Sequence, residues 1–313
     1  MKEWLVIVNP NAGIGKAKKD WPQIASLLDK HSFNYHAVFT TGPMDAIDLV
    51  GEYAKMGYRK IISVGGDGTM NEIVNGIFKQ ETVPTTEITL GMVSVGTGND
   101  WGRTFNIPMD YGKAIPVLKN ERTMLQDAGT VSYFNNNSNN SDAKKISRYF
   151  INMAGLGFDA LVAKKTNADK IRGRGNPMLY LANLLSSLFV YKSCGTKVIV
   201  DGNEIRDKIF SISIGIGQYN GGGMRQAPDA KPDDGLFDIT LIKDISKLSV
   251  IASVRRLYNG TIKKHKRVLG LVGKHVVIET EEPILLETDG ESLGHSPFEF
   301  NIIPKSIRVI VNT

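Results

Sequence analysis

The chain has 313 residues, 42% hydrophobic and 22% charged, with a net charge of +6 and a pI near 9.1. This composition excludes a disordered or fibrous protein, and the length predicts two globular domains. The single cysteine, Cys194, excludes an internal disulfide and fits a reducing cytosol; no apolar run is long enough to span a membrane.

Strands and helices alternate in the first half of the chain. The predicted strands are Trp4–Val8, Tyr35–Thr40, Ile61–Val64 and Ile88–Val95, and the predicted helices include Trp21–Lys30, with Asp20 as N-cap, and Asp45–Met56. Such alternation predicts a doubly wound parallel sheet with helices on both faces. Ligands of these sheets bind beyond the carboxyl ends of the strands, where every glycine-rich loop of this half lies.

One of these loops, Gly65-Gly66-Asp67-Gly68-Thr69-Met70-Asn71-Glu72, joins a predicted buried strand to a predicted helix. Glycines let a ligand approach the backbone, and the N–H groups of a helix start suit a phosphate. Asp67 would repel that phosphate unless it held a magnesium ion. The alternative is a tight turn with a capping aspartate.

The pattern changes after Asp127-Ala128-Gly129. An Asn/Ser-rich tract, Phe134–Ser141, is predicted to be an exposed hairpin connection. Short strands follow at Arg148–Met153, Thr196–Val200, Ile209–Ile216, Leu236–Ile242, Lys274–Glu279, Ile284–Thr288, Phe298–Ile303 and Ile307–Val311. With two helices, near Pro177–Tyr191 and Ile245–Asn259, they predict an antiparallel β-sandwich.

Three motifs carry a family resemblance: Asn9-Pro10-x-Ala12-Gly13, Gly65–Glu72, and Gly96-Thr97-Gly98-Asn99-Asp100-x-x-Arg103. In order and spacing they resemble the signatures of the diacylglycerol kinase catalytic domain, especially that of bacterial lipid kinases related to sphingosine and ceramide kinases. The resemblance implies an α/β nucleotide-binding domain at 1–129, a β-sandwich lipid-substrate domain at 130–313 whose last strand could return to the first domain, and an active site in the cleft between them.

The resemblance also implies which residues bind ATP and Mg²⁺. The implied nucleotide-binding residues are Asn9, Pro10, Asn11, Ala12, Gly13, Thr40, Thr41, Gly65, Gly66, Asp67, Gly68, Thr69, Asn71, Glu72, Gly96, Thr97, Asn99 and Arg103. Asp67 would serve the magnesium–ATP complex. Asn99, Asp100 and Arg103 would organise the cleft.

The second half matches the same family at Gly221–Met224 and at Pro228–Asp238. By that match, Asp234 and the carbonyl groups of Lys231 and Leu236 would bind a second, structural Mg²⁺. Oxygen ligands around a turn suit this hard cation. The residues alone favour an ion-free Asp-Asp-Gly hairpin turn.

Thr288-Asp289-Gly290-Glu291 matches the acidic catalytic signature of the family. A lipid hydroxyl must lose a proton as it attacks the γ-phosphorus, and a carboxylate can accept that proton. Asp289 and Glu291 are both candidates, Asp100 is the next, and a solvated hairpin turn is the alternative.

Two basic runs lie beside leucine-rich helices: Lys164, Lys165, Lys170, Arg172 and Arg174, and then Lys263, Lys264, Lys266 and Arg267. They indicate either solvated faces or contact with an anionic membrane surface. We therefore expect a cytoplasmic, peripherally membrane-associated protein that binds a lipid substrate and no nucleic acid. A homodimer stays open.

These observations predict an ATP- and magnesium-dependent kinase that phosphorylates a lipid hydroxyl, with diacylglycerol as the expected substrate and phosphatidic acid as the product. One alternative is a small-molecule kinase like NAD kinase, which shares Gly-Gly-Asp-Gly. The other is a nucleotide- or lipid-binding protein without catalysis.

Overall fold

The computed structural model describes residues 4–96, 98–135, 145–173 and 177–312. It separates the chain into two compact units: Met1–Ala128 with Pro304–Thr313, and Gly129–Ile303. Most of the Asn/Ser tract predicted as a hairpin connection, residues 136–144, lies outside the described residues.

The first unit contains a parallel sheet. Its elements are β1 (Trp4–Val8), α1 (Lys16–Lys30), β2 (Tyr35–Phe39), α2 (Asp45–Lys55), β3 (Lys60–Gly65), α3 (Asp67–Lys79), β4 (Thr89–Ser94), α4 (Asp100–Thr104) and α5 (Tyr111–Asn120). β2 and β3 flank β1, and β4 pairs with β3, all in parallel. The end of β14 (Glu291–Ile310) adds a fifth parallel strand beside β4.

This strand order determines where the helices lie. The chain steps from β1 to β2 in one direction and returns past β1 to β3 and β4 in the other. Because crossover connections are right-handed, this reversal puts α1 on one face and α2 and α3 on the other. α2 accordingly packs on α3, and α1 on α5. The reversal between β1 and β3 is where such sheets bind ligands.

The predicted start of the first helix is wrong. α1 begins at Lys16, after Gly15 in the left-handed region (φ 80°), so Asp20 lies inside the helix instead of capping it. The first turn buries only Ala17 and shows little apolar periodicity. α4 and α5 were not predicted.

Among the described residues, the second unit contains antiparallel strands and three α-helices. Its elements are the end of β5 (Thr123–Phe134), β6 (Lys145–Phe150), β7 (Met153–Gly157), α6 (Phe158–Ile171), α7 (Pro177–Val190), β8 (Cys194–Val200), β9 (Asn203–Gly215), β10 (Phe237–Lys243), α8 (Lys247–Tyr258), β11 (Val268–Gly273), β12 (His275–Thr280), β13 (Leu285–Thr288) and most of β14.

Two long strands, β9 and β14, link several of these strands into a closed sheet, which the pairing of β13 with β7 completes. The first half of β9 pairs with β8 and its second half with β7 and β10. β14 pairs with β13 and then with β12, which returns to β8. This closed sheet packs around an apolar core in which Phe150 and Phe237 stack with ring centroids 5.9 Å apart.

Several predicted boundaries in the second half of the chain are wrong. The predicted strand Arg148–Met153 spans the end of β6, a break and the start of β7. The two final strands, predicted at Phe298–Ile303 and Ile307–Val311, form one continuous strand, β14, which runs through Pro304. Lys305 adopts φ 48° and donates its N–H to Asp127 Oδ1 at 2.7 Å. β5, β11 and α6 were not predicted.

Candidate functional site

The loops after β1 and β3 meet at the reversal of the sheet. Asn9 Nδ2 donates to Thr69 Oγ1 at 3.0 Å, and Asn9 Oδ1 accepts the N–H of Asn11, also at 3.0 Å. The Asn9 amide thus ties the first loop to the first turn of α3, where backbone N–H groups lack helical partners.

Glycines let these loops approach the loop after β4. A Cβ on Gly13 would lie 2.7 Å from the Val95 carbonyl oxygen, and Gly13 also has φ 61°. A Cβ on Gly96 would lie 3.1 Å from Gly66 Cα. The loops that carry the three motifs therefore lie close together, and glycine backbone forms part of their contact, a surface suited to phosphate groups.

The carboxylates of Asp67 and Asp100 lie close to Gly98, whose missing side chain leaves a small space between them. A Cβ on Gly98 would lie 2.9 Å from Asp67 Oδ2 and 3.6 Å from Asp100 Oδ2. Asp67 also accepts the N–H groups of Asp100 and Trp101 at 3.2 and 3.3 Å. Arg103 Nε lies 3.7 Å from Asp100 Oδ1. Two carboxylates around a space kept open by glycine fit a Mg²⁺ ion, which takes oxygen ligands.

Other sequence-predicted residues of this unit hold the loops in place. Thr40 is buried and donates its N–H to the Val8 carbonyl, while the N–H and hydroxyl of Thr41 bond Asp45 Oδ2. Glu72 Oε1 accepts the N–H of Met44 at 2.9 Å.

Two of the predicted asparagines, Asn71 and Asn99, are buried and lie near the starts of α3 and α4. Asn71 accepts from Asn75 Nδ2 inside α3, and Asn99 (φ 47°) is the N-cap residue of α4. Pro10 and Ala12 are half-buried in the first loop, and Gly65 and Gly68 lie on either side of Gly66 and Asp67. Thr97 lies outside the described residues.

A polar cluster that was not predicted from the sequence lies next to Gly96. The Lys16 ammonium group contacts Asp20 and donates to the Tyr111 hydroxyl at 2.8 Å, and that hydroxyl donates to Asp20 Oδ2 at 2.7 Å. The hydrogen bonds to Asp20 and Tyr111 raise the pKa of Lys16. With Ser94 they line a cavity of about 310 Å³. Lys16 and Tyr111 are 95 positions apart, so no local pattern indicates this cluster.

In the second unit, the Asp289 carboxylate is enclosed by backbone. Its oxygens accept the N–H groups of Ile151, Asn152 and Met153 at 3.0–3.1 Å, and the side chain is 4% exposed. Asp289 thereby provides hydrogen-bond acceptors for the backbone N–H groups at the break between β6 and β7. Glu291, two residues later, is exposed.

Two further carboxyl groups, the buried Glu287 and the half-buried Asp159, lie close to Gly155. A Cβ on Gly155 would lie 2.5 Å from Glu287 Oε1 and 3.2 Å from Asp159 Cβ. Burial raises the pKa of Glu287 to about 8 and that of Asp159 to about 6. Neither carboxyl group was predicted as part of a site, although a glutamate within the predicted strand Ile284–Thr288 was a usable signal.

The turn around Asp234 offers mainly backbone oxygen. Asp234 Oδ1 accepts the N–H of Leu236 at 3.0 Å. Nearby, Lys263 pairs with Asp229 and Asp238 at 3.0 and 2.7 Å. Within the described ranges, no group of three or more His, Cys, Asp or Glu residues is arranged to hold a metal. A cation here would bind the Asp234 carboxylate and the carbonyl groups of Lys231 and Leu236, a donor set that Mg²⁺ accepts.

Comparison with known proteins identifies both halves of the chain. Residues 3–131 match the diacylglycerol kinase catalytic domain, and residues 152–311 match the YegS C-terminal NAD kinase beta sandwich-like domain. A diacylglycerol kinase of Staphylococcus carnosus (strain TM300) is 28% identical over 305 residues, which cover 97% of this chain and 93% of the relative.

Solved structures agree with these matches. A candidate diacylglycerol kinase from Bacillus anthracis str. Sterne superposes with a TM-score of 0.79 at 26% identity, over 99% of this chain and 95% of that one. A yeast NADH kinase has a TM-score of 0.50 at 12% identity, over 99% of this chain and 84% of its own, a likeness that shows the fold alone. The predicted α/β domain followed by an antiparallel β domain is confirmed.

Proposed function

The chain belongs to the diacylglycerol kinase family, and from that membership we propose that it transfers the γ-phosphoryl group of ATP to the hydroxyl of a diacylglycerol. The family resemblance predicted from the sequence is confirmed, and so is kinase activity as its class. The observation that carries the proposal is the contact among three glycine-containing loops at the sheet reversal, made through Asn9–Thr69, Gly13–Val95 and Gly66–Gly96.

Nucleotide binding is proposed for these loops. The first turn of α3 follows Gly66 and offers backbone N–H groups and the positive end of a helix dipole to the phosphates. Asp67 and Asp100 would hold the Mg²⁺ ion. When bound, that ion neutralises charge on the transferring phosphoryl group. The protein's own contribution is to orient the phosphates through rigid backbone.

Glu291 is the proposed base for the acceptor hydroxyl. The alternative, Asp289, is 4% exposed, and three backbone N–H groups contact its oxygens, so a substrate hydroxyl has no access to them. Glu291 is exposed at the end of the same turn. A proton accepted there would leave the hydroxyl oxygen as the attacking group.

An anionic lipid surface is the proposed location of the acceptor. No helix within the described residues is long and apolar enough to cross a membrane. The ends of α7 and α8 expose an apolar patch, here called the α7–α8 patch. Its members are Leu185, Phe189, Val190, Leu248 and Ile251, with Leu248 81% and Val190 72% exposed.

Basic residues accompany the α7–α8 patch. Lys247 Nζ lies 5.3 Å from the centre of the Phe189 ring. The His265 ring contacts Ser249 of α8 at 3.3 Å, which brings the exposed residues Lys264, Lys266 and Arg267 beside this helix. Lys263, in contrast, forms ion pairs with Asp229 and Asp238. Apolar side chains surrounded by cations suit the interface of an anionic bilayer.

A transfer assay tests the function. The purified protein would be incubated with γ-labelled ATP, Mg²⁺ and mixed micelles that contain diacylglycerol, ceramide, sphingosine or monoacylglycerol, with NAD as a soluble acceptor. The proposal expects label in phosphatidic acid. Label in NADP would favour the NAD kinase-like alternative, and nucleotide binding without transfer to any acceptor would favour a protein without catalysis.

A further inference from the structure

Glu287 occupies an unusual position for a carboxylate. It lies on β13 between two buried neighbours, is 1% exposed, and faces Gly155 of β7 across the strand pair. A side chain at position 155 would clash with Glu287 Oε1 at 2.5 Å. The missing side chain of Gly155 therefore provides the space for this carboxyl group, and the burial of such a polar group requires compensating hydrogen bonds.

Those hydrogen bonds come from two different turns. Glu287 Oε2 accepts the N–H of Gly290 at 2.9 Å, and Oε1 accepts from Asn220 Nδ2 at 2.8 Å. Asn220 begins a glycine turn, Asn220–Met224, closed by backbone hydrogen bonds between its two ends. One carboxyl group thus connects the glycine turn to the turn that bears Glu291.

The turn at Gly290 has a geometry that needs such support. Asp289 (φ 49°) and Gly290 (φ 84°) both adopt left-handed conformations, which are unfavourable for the non-glycine residue. Besides the contact of its N–H with Glu287, the carbonyl of Gly290 accepts from Asn167 Nδ2 of α6 at 2.9 Å. The N–H and the carbonyl of Gly290 therefore both form hydrogen bonds with side chains. These two hydrogen bonds set the direction of the backbone from Gly290 to Glu291.

The glycine turn is itself anchored to the sheet. Asn220 Oδ1 accepts the N–H of Gly221 at 2.9 Å, which fixes the orientation of the amide. Its Nδ2 group also contacts Gln226 Oε1 at 3.3 Å, and that oxygen accepts from the Ser213 hydroxyl of β9 at 3.0 Å. A hydrogen-bonded, partly buried network of this kind rigidifies the groups that it connects.

We propose that Glu287, through its hydrogen bonds to Asn220 and Gly290, is a positioning residue that couples the glycine turn to the acidic turn and orients Glu291 for catalysis. This inference rests on the proposed function, in which Glu291 accepts the proton of the lipid hydroxyl. Glu287 itself contacts no reacting group.

The polarity of the Asn220–Glu287 bond allows a sharp test. Glu287→Gln keeps one acceptor for Gly290 but places an amide N–H₂ against the N–H₂ of Asn220. Asn220→Asp places two carboxyl groups together. The double variant Asn220→Asp/Glu287→Gln restores a donor–acceptor pair with the direction reversed. Glu282→Gln, at an exposed position on the loop before β13, is the matched control.

We expect each single variant to lower kcat for lipid phosphorylation by about tenfold or more, with the KM for ATP nearly unchanged, because small displacements of a catalytic group can cost up to about a hundredfold. The double variant should return to within about threefold of wild type, the signature of a directly coupled pair. Single variants that keep the wild-type kcat, or a double variant no better than the worse single, would overturn the proposal.

Hydrogen exchange of the peptide that contains residues 285–295 separates this proposal from the proposed function. Exchange should accelerate in both single variants and return toward wild type in the double variant. If the wild type phosphorylates no lipid, the proposed function fails while this readout still tests the coupling. Unchanged exchange in both single variants would refute the coupling.

Discussion

The Asp67 carboxylate caps the helix that begins at Asp100, since its Oδ2 accepts the N–H of Asp100 at 3.2 Å. The two residues are 33 positions apart and follow neighbouring parallel strands. The sequence offered two interpretations of Asp67, a capping aspartate or a magnesium ligand; the carboxylate caps α4, and its role as a magnesium ligand is a proposal. The hydrogen bond holds the backbone of Asp100 against the Asp67 carboxylate, and carboxylate oxygens of both residues lie near Gly98.

Substitution of Asp67 separates its two roles. Asp67→Asn keeps an acceptor for the α4 N–H groups, whereas Asp67→Ala removes the cap at a cost of about 1 kcal/mol. We expect both variants to lose phosphoryl transfer and Mg–ATP affinity, and only the alanine variant to melt earlier. Calorimetric titration and thermal melting measure these quantities. Near-normal turnover in either variant would remove Asp67 from the metal site.

The buried carboxyl of Glu287 makes stability depend on pH. Burial raises its pKa from 4.5 to about 8 in the folded protein, so the folded state holds the proton at a pH where the unfolded chain has lost it. Its contribution is complete below about pH 4.5 and falls as the pH rises to about 8, by a few kcal/mol at most. Asp159, whose pKa is about 6, contributes in the same direction at lower pH.

We expect Glu287→Gln to flatten this dependence. Urea unfolding between pH 5 and 9 should show the stability of the variant rising relative to wild type with pH, while Glu282→Gln follows wild type. Parallel curves for wild type and Glu287→Gln would mean that the carboxyl does not titrate in this range.

Metal at the Asp234 turn is tested by chelation. If the Asp234 carboxylate and the two carbonyl groups hold Mg²⁺, EDTA should lower the melting temperature of the wild type, because a bound ion stabilises the folded state. Asp234→Asn should melt earlier and respond less to EDTA. Equal responses of both proteins would leave an ion-free hairpin turn.

Contact with a lipid surface is tested at the α7–α8 patch. Phe189→Ser and Leu248→Ser should weaken sedimentation with vesicles of phosphatidylglycerol, whereas Val272→Ser, at a strand position that is 61% exposed, serves as the control. Binding of the wild type should fall with added salt and with neutral lipid, since screening weakens the basic contribution. Indifference to all these changes would assign the patch another role.

The sequence predicted the parts of the molecule whose signals are local. Apolar runs followed by glycine-containing turns predicted β1, β3, β4 and their loops, because each of these elements is encoded within a few neighbouring residues. The role of Asp289 was not predictable, because its partners Ile151–Met153 are more than 130 positions away. Glu287 was not singled out because it lies within a predicted strand. The space for its carboxyl group depends on Gly155, which is distant in sequence.

The central claim is tested most directly by single-turnover transfer from ATP to diacylglycerol in three proteins: wild type, Glu291→Gln and Asp289→Asn. The wild type should label the lipid. Glu291→Gln should lose about a hundredfold or more in rate with an unchanged melting temperature and ATP affinity, since it lacks the base. Asp289→Asn should melt earlier, because its amide opposes buried N–H donors, while each folded molecule keeps most of its rate. A Glu291→Gln variant within a few-fold of wild type, or a wild type that labels no lipid, would contradict the account.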